Sequence, residues 1–404
     1  MQRENDVVIT GAAAMTPIGL GFEALRRGLR RGEPRLAPLV TLGEATPDPP
    51  LWGGELVDFD PEAALGARGL RNKGRASLFV IACLQLDFGP QLAALGPREE
   101  LGVAIGTAFG CYGSQIAFST TYQRDGFRGV NASDFPNMMI NAPASQSNIW
   151  FELTHSSSTV ANDATSGLDA ILFAADQIAC GRASCVIAGG AEAINAHLAL
   201  GLLRGGFCSP SQQLRPFDER RDGTLPGEGT GLLVLESRAR AEARGAPVLG
   251  QVLGGGAAFN GQLAYREPDD ASTLARAMTE ALAAARLAPE QVDFVAAAGN
   301  GAVVADRTEA VAIARVFGPR VATLPVVAYK SYWGESYGAS GAMQAVAALA
   351  DLQDGVISGT CGYQGSDLGL ALAAQARSGL APRTVLINSV SYAGNCSSLV
   401  LRRA

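Results

Sequence analysis

Asn162-Asp163-Ala164-Thr165-Ser166-Gly167 stands between a short β-branched run at 158–160 and an Ala-rich stretch at 166–179. A strand that turns sharply into a helix presents one side chain at the helix N-terminus. Unpaired N–H groups and the helix dipole favour a developing anion there, so this is where an acyl-transfer nucleophile belongs. By spacing the apex of the turn is Ala164, which carries no nucleophile. Thr165 and Ser166 have hydroxyls, but an alcohol needs an adjacent base and no histidine adjoins them. Ser166 is read as capping the helix.

Outward from this turn the pattern repeats. Ser166-Gly167 opens a helix closed by Gly181, and Ser340-Gly341 opens another of the same length closed by Gly355. Each is followed by a strand and a Gly-rich hairpin: 185–192 with 227–235, and 385–388 with 393–401. Two similar halves, 1–245 and 246–404, sharing one core, are expected. Buried runs at 7–10 (closed by Gly11), 101–105, 294–297 and 326–328 alternate with helical spacing at 22–31, 75–86, 113–123, 274–286 and 307–317. The alternation predicts an α/β fold with mostly parallel central strands.

Composition narrows the chemistry. The 404 residues are 48% hydrophobic and only 17% charged, which disfavours disorder and points to a surface covered by a partner. The net charge of −6 argues against nucleic acid. No apolar run is long enough to span a membrane, and the polar opening residues show no secretory signal, so a cytoplasmic protein is expected. Seven cysteines without a C-x-x-C pair disfavour a disulfide framework or a zinc site, and no cofactor or metal is expected. There are two histidines, His155 and His197, both read as surface or satisfied polar residues.

Several ordered motifs carry a resemblance. They are Val7-Val8-Ile9-Thr10-Gly11 with Met15-Thr16-Pro17-Ile18-Gly19, and Ala188-Gly189-Gly190-Ala191-Glu192. Further on stand Arg215-Pro216-Phe217-Asp218, Arg221-Asp222-Gly223 and Gly227-Glu228-Gly229. Through them the chain resembles, end to end, a β-ketoacyl-carrier-protein synthase of the thiolase superfamily. The resemblance implies a five-layer αβαβα fold built from two pseudo-repeated halves.

The departures from that family are specific. Its members keep a Cys at the elbow, a His in an A-H-G-T loop and a His after K-S-x-x-G. Those positions here are Ala164, Ala298 (in Ala297-Ala298-Gly299-Asn300) and Glu335 (in Lys330-Ser331-Tyr332-Trp333-Gly334-Glu335). Lys330 and Glu309 are retained, and the family's Phe-containing C-terminal gate reads Val390-Ser391-Tyr392-Ala393-Gly394-Asn395. Without the thiolate there is no thioester transfer. Glu335 and Lys330 are expected to form a buried ion pair.

One branch fits. The chain resembles the chain length factor, or ketosynthase β subunit, of type II polyketide synthases, through Gly167-Leu168-Asp169-Ala170-Ile171 and Tyr337-Gly338-Ala339-Ser340-Gly341. The resemblance implies a heterodimer with a ketosynthase α subunit, an acyl carrier protein engaged mainly through that subunit, and a shared tunnel that helps set chain length. Aromatic-polyketide members commonly carry Gln at the elbow, so Ala164 leaves aromatic and polyene products both open. Tunnel or interface candidates are Phe109, Cys111, Tyr112, Ser114, Gln115 and Phe118, with Met138 and Met139 as a second wall. The competing reading is a diverged acyltransferase or malonyl-thioester decarboxylase acting without the usual set, through Ser166, Thr165 or a displaced cysteine such as Cys111 or Cys396.

Overall fold

The computed structural model describes residues 6–261 and 270–404; the polar opening, 1–5, lies outside them. The first strand, β1 (Val7–Thr16), does not stop at Gly11 as its first run predicts. A register shift between Ile9 and Gly11 lets it continue. Such a bulge changes which parity of residue faces a given side. Val7 and Ile9 therefore share the central core with Ala12 and Ala14, while Ala13 and Met15 face the outer layer.

The N-terminal half continues with α1 (Phe22–Arg31), α2 (Arg75–Asp87), β2 (Leu101–Gly106), α3 (Tyr112–Asp125) and α4 (Ala142–Phe151). After these come β3 (Ser157–Val160), α5 (Ser166–Ala179), β4 (Cys185–Glu192), α6 (Ala196–Arg204) and β5 (Gly229–Ser237). The C-terminal half begins with β6 (Gly250–Phe259), α7 (Ala271–Ala285), β7 (Phe294–Ala296), α8 (Val303–Phe317) and β8 (Pro325–Val327). It ends with α9 (Ser340–Asp354), β9 (Ala371–Leu372), β10 (Thr384–Val390) and β11 (Asn395–Arg403).

The strand order is β9-β8-β7-β10-β11-β6-β1-β5-β4-β2-β3, with Gly19–Leu20 folding back on β1. Reading outward from the β1/β6 junction, β1-β5-β4-β2-β3 mirrors β6-β11-β10-β7-β8. The expectation of parallel central strands is corrected here. Pairs at the middle (β4/β5, β5/β1, β1/β6, β6/β11, β11/β10) are antiparallel, and the parallel pairs lie toward the two ends. The physical reason is local. The 391–394 turn joins β10 directly to β11, and a hairpin reverses direction where a helical crossover does not.

Helices α5 and α9 touch each other and strands of both halves, while α2 covers the outer face of one half and α7 with α8 that of the other. The resulting αβαβα layering is the thiolase-like fold. Residues Ser340–Leu352 of α9 are all buried, which suits an Ala-rich helix at the centre. Close approach is enforced by glycine: a Cβ added to Gly167 would lie 2.6 Å from the Gly338 carbonyl oxygen, and one on Gly190 2.5 Å from it.

Candidate functional site

The two central helices are entered by matching turns. Asp163 and Tyr337 hold left-handed backbone, with φ of 54° and 43°, which non-glycine residues rarely adopt. In each turn a serine three residues later bonds back to the chain. Ser166 Oγ accepts from Asn162 N at 2.8 Å, and Ser340 Oγ accepts from Ser336 N at 3.0 Å. This revises the reading of Ser166 as a cap: its hydroxyl closes the elbow, donating to the Asp163 carbonyl at 2.6 Å, and makes no helix-capping bond.

Ala164 sits at the first turn and is 2% exposed. The end of β10 lies against it. Ser389 Oγ donates to the Ala164 carbonyl at 2.9 Å, and Ser391 Oγ donates to Asp163 Oδ2 at 2.5 Å. Burial raises the Asp163 carboxyl above its ordinary range, the Ser391 bond opposes this, and nearby Glu335 adds to the rise. Thr165 is fully buried, and its hydroxyl is spent on the Asn162 carbonyl and Asp169 Oδ2.

Opposite the elbow, Lys330 and Glu335 are both buried, with Nζ 2.7 Å from Oε2. Glu335 also accepts from Asn300 Nδ2 at 2.9 Å, Ser340 Oγ at 2.7 Å and the Tyr337 N–H at 3.1 Å. The Glu335 carboxylate thus receives Lys330 and three further donors. Ala298 is buried and donates its N–H to Glu309 Oε1 at 2.9 Å, which also receives Asn388 Nδ2 at 3.0 Å. Burial pushes Glu309 up to about 7 and Asp306 up to about 6, the latter despite N–H bonds from Phe217, Asn300 and Gly301. A small cavity of about 20 Å³ lies at this end, among Ala298, Asn300, Glu309, Ser391 and Tyr392.

Outside the elbow lies a larger, mostly apolar cavity of about 420 Å³. Its lining joins Phe109, Tyr112, Asp163 and Tyr337 to His197, Leu198, Gly201 and Leu202 of α6, with Phe207 and Tyr392. The Phe109 ring meets Tyr337 edge-on at 5.3 Å. The structure thus separates the tunnel candidates. Phe109 and Tyr112 border this cavity, whereas Ser114 and Phe118 line a different groove of about 270 Å³ with Asn72 and Asp134. Cys111 is buried, its sulfur 3.3 Å from Ser77 Oγ. Gln115 reaches the Met138 carbonyl at 2.7 Å, and Met139 is exposed.

His197, read from sequence as a surface residue, is exposed but borders the 420 Å³ cavity. The α6 and Phe207 wall carried no sequence signal, because these residues reach the elbow only through the tertiary fold. No helix among the described residues is long and apolar enough to cross a membrane. None of their His, Cys, Asp and Glu side chains gather in a group able to hold a metal ion.

With this geometry in place, comparison with known proteins is specific. A model of the beta-ketoacyl synthase N-terminal domain matches residues 88–241, and one of the C-terminal domain matches 249–364. The chain is 29% identical to a 3-oxoacyl-[acyl-carrier-protein] synthase 2 of Coxiella burnetii over 98% of both chains. It is 30% identical to the tetracenomycin polyketide synthase ketoacyl synthase alpha subunit of Streptomyces glaucescens, covering 90% of this chain and 88% of that one. Among solved structures, the ishigamide ketosynthase/chain length factor superposes with a TM-score of 0.90 at 27% identity, covering 99% of each chain.

Proposed function

This chain belongs to the beta-ketoacyl synthase family, and from that premise we propose that it is a non-catalytic subunit of a type II polyketide synthase. In this reading it pairs with a catalytic ketosynthase and shapes the acyl tunnel as a chain length factor does. The observation that carries it is the replacement of the whole reacting set. Ala164 leaves the elbow without a nucleophile, Ala298 without a base, and Glu335 cancels the charge of Lys330. A carboxylate there opposes the enolate that decarboxylation of a malonyl thioester develops.

The reading of a diverged enzyme finds little to work with among the described residues. Burial pushes Cys396 and Cys208 up to about 12 and Cys361 up to about 11, and raises Cys111 as well. The hydroxyls of Ser166 and Thr165 are held by the elbow itself.

A partner is supported by the surface. Tyr122, Phe127, Phe135, Met139, Ile140 and Ile149 are all exposed within 122–149, and β3, against which α4 packs, closes the sheet as its end strand. So many exposed apolar side chains in one segment suit an interaction surface, and the Ile140 backbone lies against Gly110, next to Phe109 at the edge of the 420 Å³ cavity. The test is co-expression with candidate ketosynthases, followed by exposure of the purified pair to an acyl-carrier-protein thioester. Acyl mass is expected on the partner alone; an adduct on Ser166 or any cysteine of this chain would reinstate the enzyme reading.

A further inference from the structure

Glu192 closes β4 and is buried. A carboxyl group is costly to bury unless its oxygens find donors, and here the donors come from two neighbouring segments. Oε2 accepts from Ala108 N at 2.7 Å and from Gly338 N at 3.3 Å. Oε1 accepts from the Thr107 hydroxyl at 3.3 Å. The Phe109 N–H is shared between the two oxygens, at 3.3 and 3.4 Å.

The two segments that Glu192 joins meet at one side of the 420 Å³ cavity. The first, 107–110, follows β2 and carries Phe109; the second precedes α9 and carries Tyr337. The Phe109 ring stands edge-on to Tyr337, with centroids 5.3 Å apart, and 6.4 Å from the ring of Tyr112. Backbone lies close to backbone where the segments touch: a Cβ on Gly338 would come within 2.3 Å of Ala108 N. Thr107 braces the first segment once more, its hydroxyl receiving Gly110 N at 2.8 Å. Loops are ordinarily the mobile parts of a fold, yet this one is pinned at the N–H of Phe109 and of the residues on both sides of it.

We propose that Glu192 is a positioning residue and, through Phe109, a determinant of product length: by tying 107–109 to Gly338 it fixes the Phe109 ring against Tyr337 and so sets the shape of that side of the cavity. Glu192 does not itself line the cavity, so its effect there is carried by other side chains. The consequence for product length rests on the proposed function; the positioning of Phe109 does not, and the two are tested apart.

The experiment places 4-fluorophenylalanine at position 109 of the full chain and, in a second sample, at the buried Phe294 of β7 in the other half, and follows each fluorine resonance by NMR. Glu192→Gln keeps the shape of the side chain but leaves one acceptor oxygen. Because the Phe109 N–H faces both oxygens, it meets the new NH2 whichever way the amide turns. A released ring exchanges rotamers within nanoseconds, so the 109 resonance is expected to move at least about half way toward its position in the urea-unfolded chain. The 294 resonance should stay in place. Thr107→Val removes the hydroxyl that bonds Glu192 and should act likewise, covering the case in which Glu192→Gln folds poorly. A 109 resonance unmoved by both variants, or a 294 resonance that moves with it, overturns the positioning role. In the pair reconstituted with a ketosynthase, Phe109→Ala and Glu192→Gln should both broaden the product distribution toward longer chains. An effect of Phe109→Ala without one of Glu192→Gln overturns the role in product length. No effect of either, with the 109 resonance moved, overturns the proposed function and leaves the positioning upheld.

Discussion

Glu335 and Lys330 stand side by side at the centre of the molecule with no access to water, and their energetics follow from that. Removing one partner of a buried pair strands a charge, at a loss of about 3–5 kcal/mol. Lys330→Met and Glu335→Gln should each fall in that range by urea denaturation. The double variant, which leaves no lone charge, should lose less than Glu335→Gln alone; additive losses would mean that the two charges do not compensate one another. Glu309 supplies a pH test. Burial raises its pKa from 4.5 to about 7, so the folded state holds this proton more tightly than the unfolded chain. Its contribution to stability is present below about pH 4.5 and is lost as pH rises to about 7. Glu309→Gln keeps an acceptor for Ala298 N and Asn388 Nδ2, and should flatten the fall in unfolding free energy measured between pH 5 and 7. An unchanged slope would place the titration elsewhere, for instance on Asp306 or on Glu192, which burial pushes up to about 8.

At the scale of elements, the seat of α5 on β4 and on the turn that opens α9 is set by backbone approaching backbone. Gly190→Ala would push a methyl to within 2.5 Å of the Gly338 carbonyl and 2.9 Å of the Gly167 Cα, neither of which can swing away. A loss of about 1–3 kcal/mol is expected by thermal or chemical unfolding. Gly201→Ala in α6 meets nothing within 4 Å and should be neutral or stabilise by up to about 1 kcal/mol. Equal effects would show that packing at this seat is loose. Helices were the most legible elements in the sequence: 22–31 and 166–179 follow from apolar spacing and closing glycines, and the repeat of Ser166-Gly167 in Ser340-Gly341 marks two helices that do meet at the centre. Strand direction was not legible, because a buried run looks alike whichever way its neighbour points. The bulge in β1 was hidden for a related reason, since Gly11 reads equally as a stop or as a kink. In the candidate site, Ala164, Ala298 and Glu335 could be placed by motif. The contribution of Asn300, His197 and Phe207 is long-range, and local pattern carries no trace of it.

For the whole molecule, the sparse charge and the exposed apolar side chains over 122–149 are what the proposed pairing needs of a surface that a partner covers. Phe135→Glu or Ile149→Glu should leave the fold intact, both side chains being largely exposed, yet weaken co-purification with a ketosynthase at least tenfold. Retention of the partner by both variants would move the interface elsewhere. In the proposed function this chain shapes a product that another subunit makes, and Tyr112, 38% exposed and lining the 420 Å³ cavity, is the residue on which to test it. The measurement is the product-length distribution of the reconstituted pair carrying Tyr112→Ala. Longer products at undiminished partner acylation are predicted; an unchanged distribution, or condensation by this chain in the absence of a partner, would contradict the account.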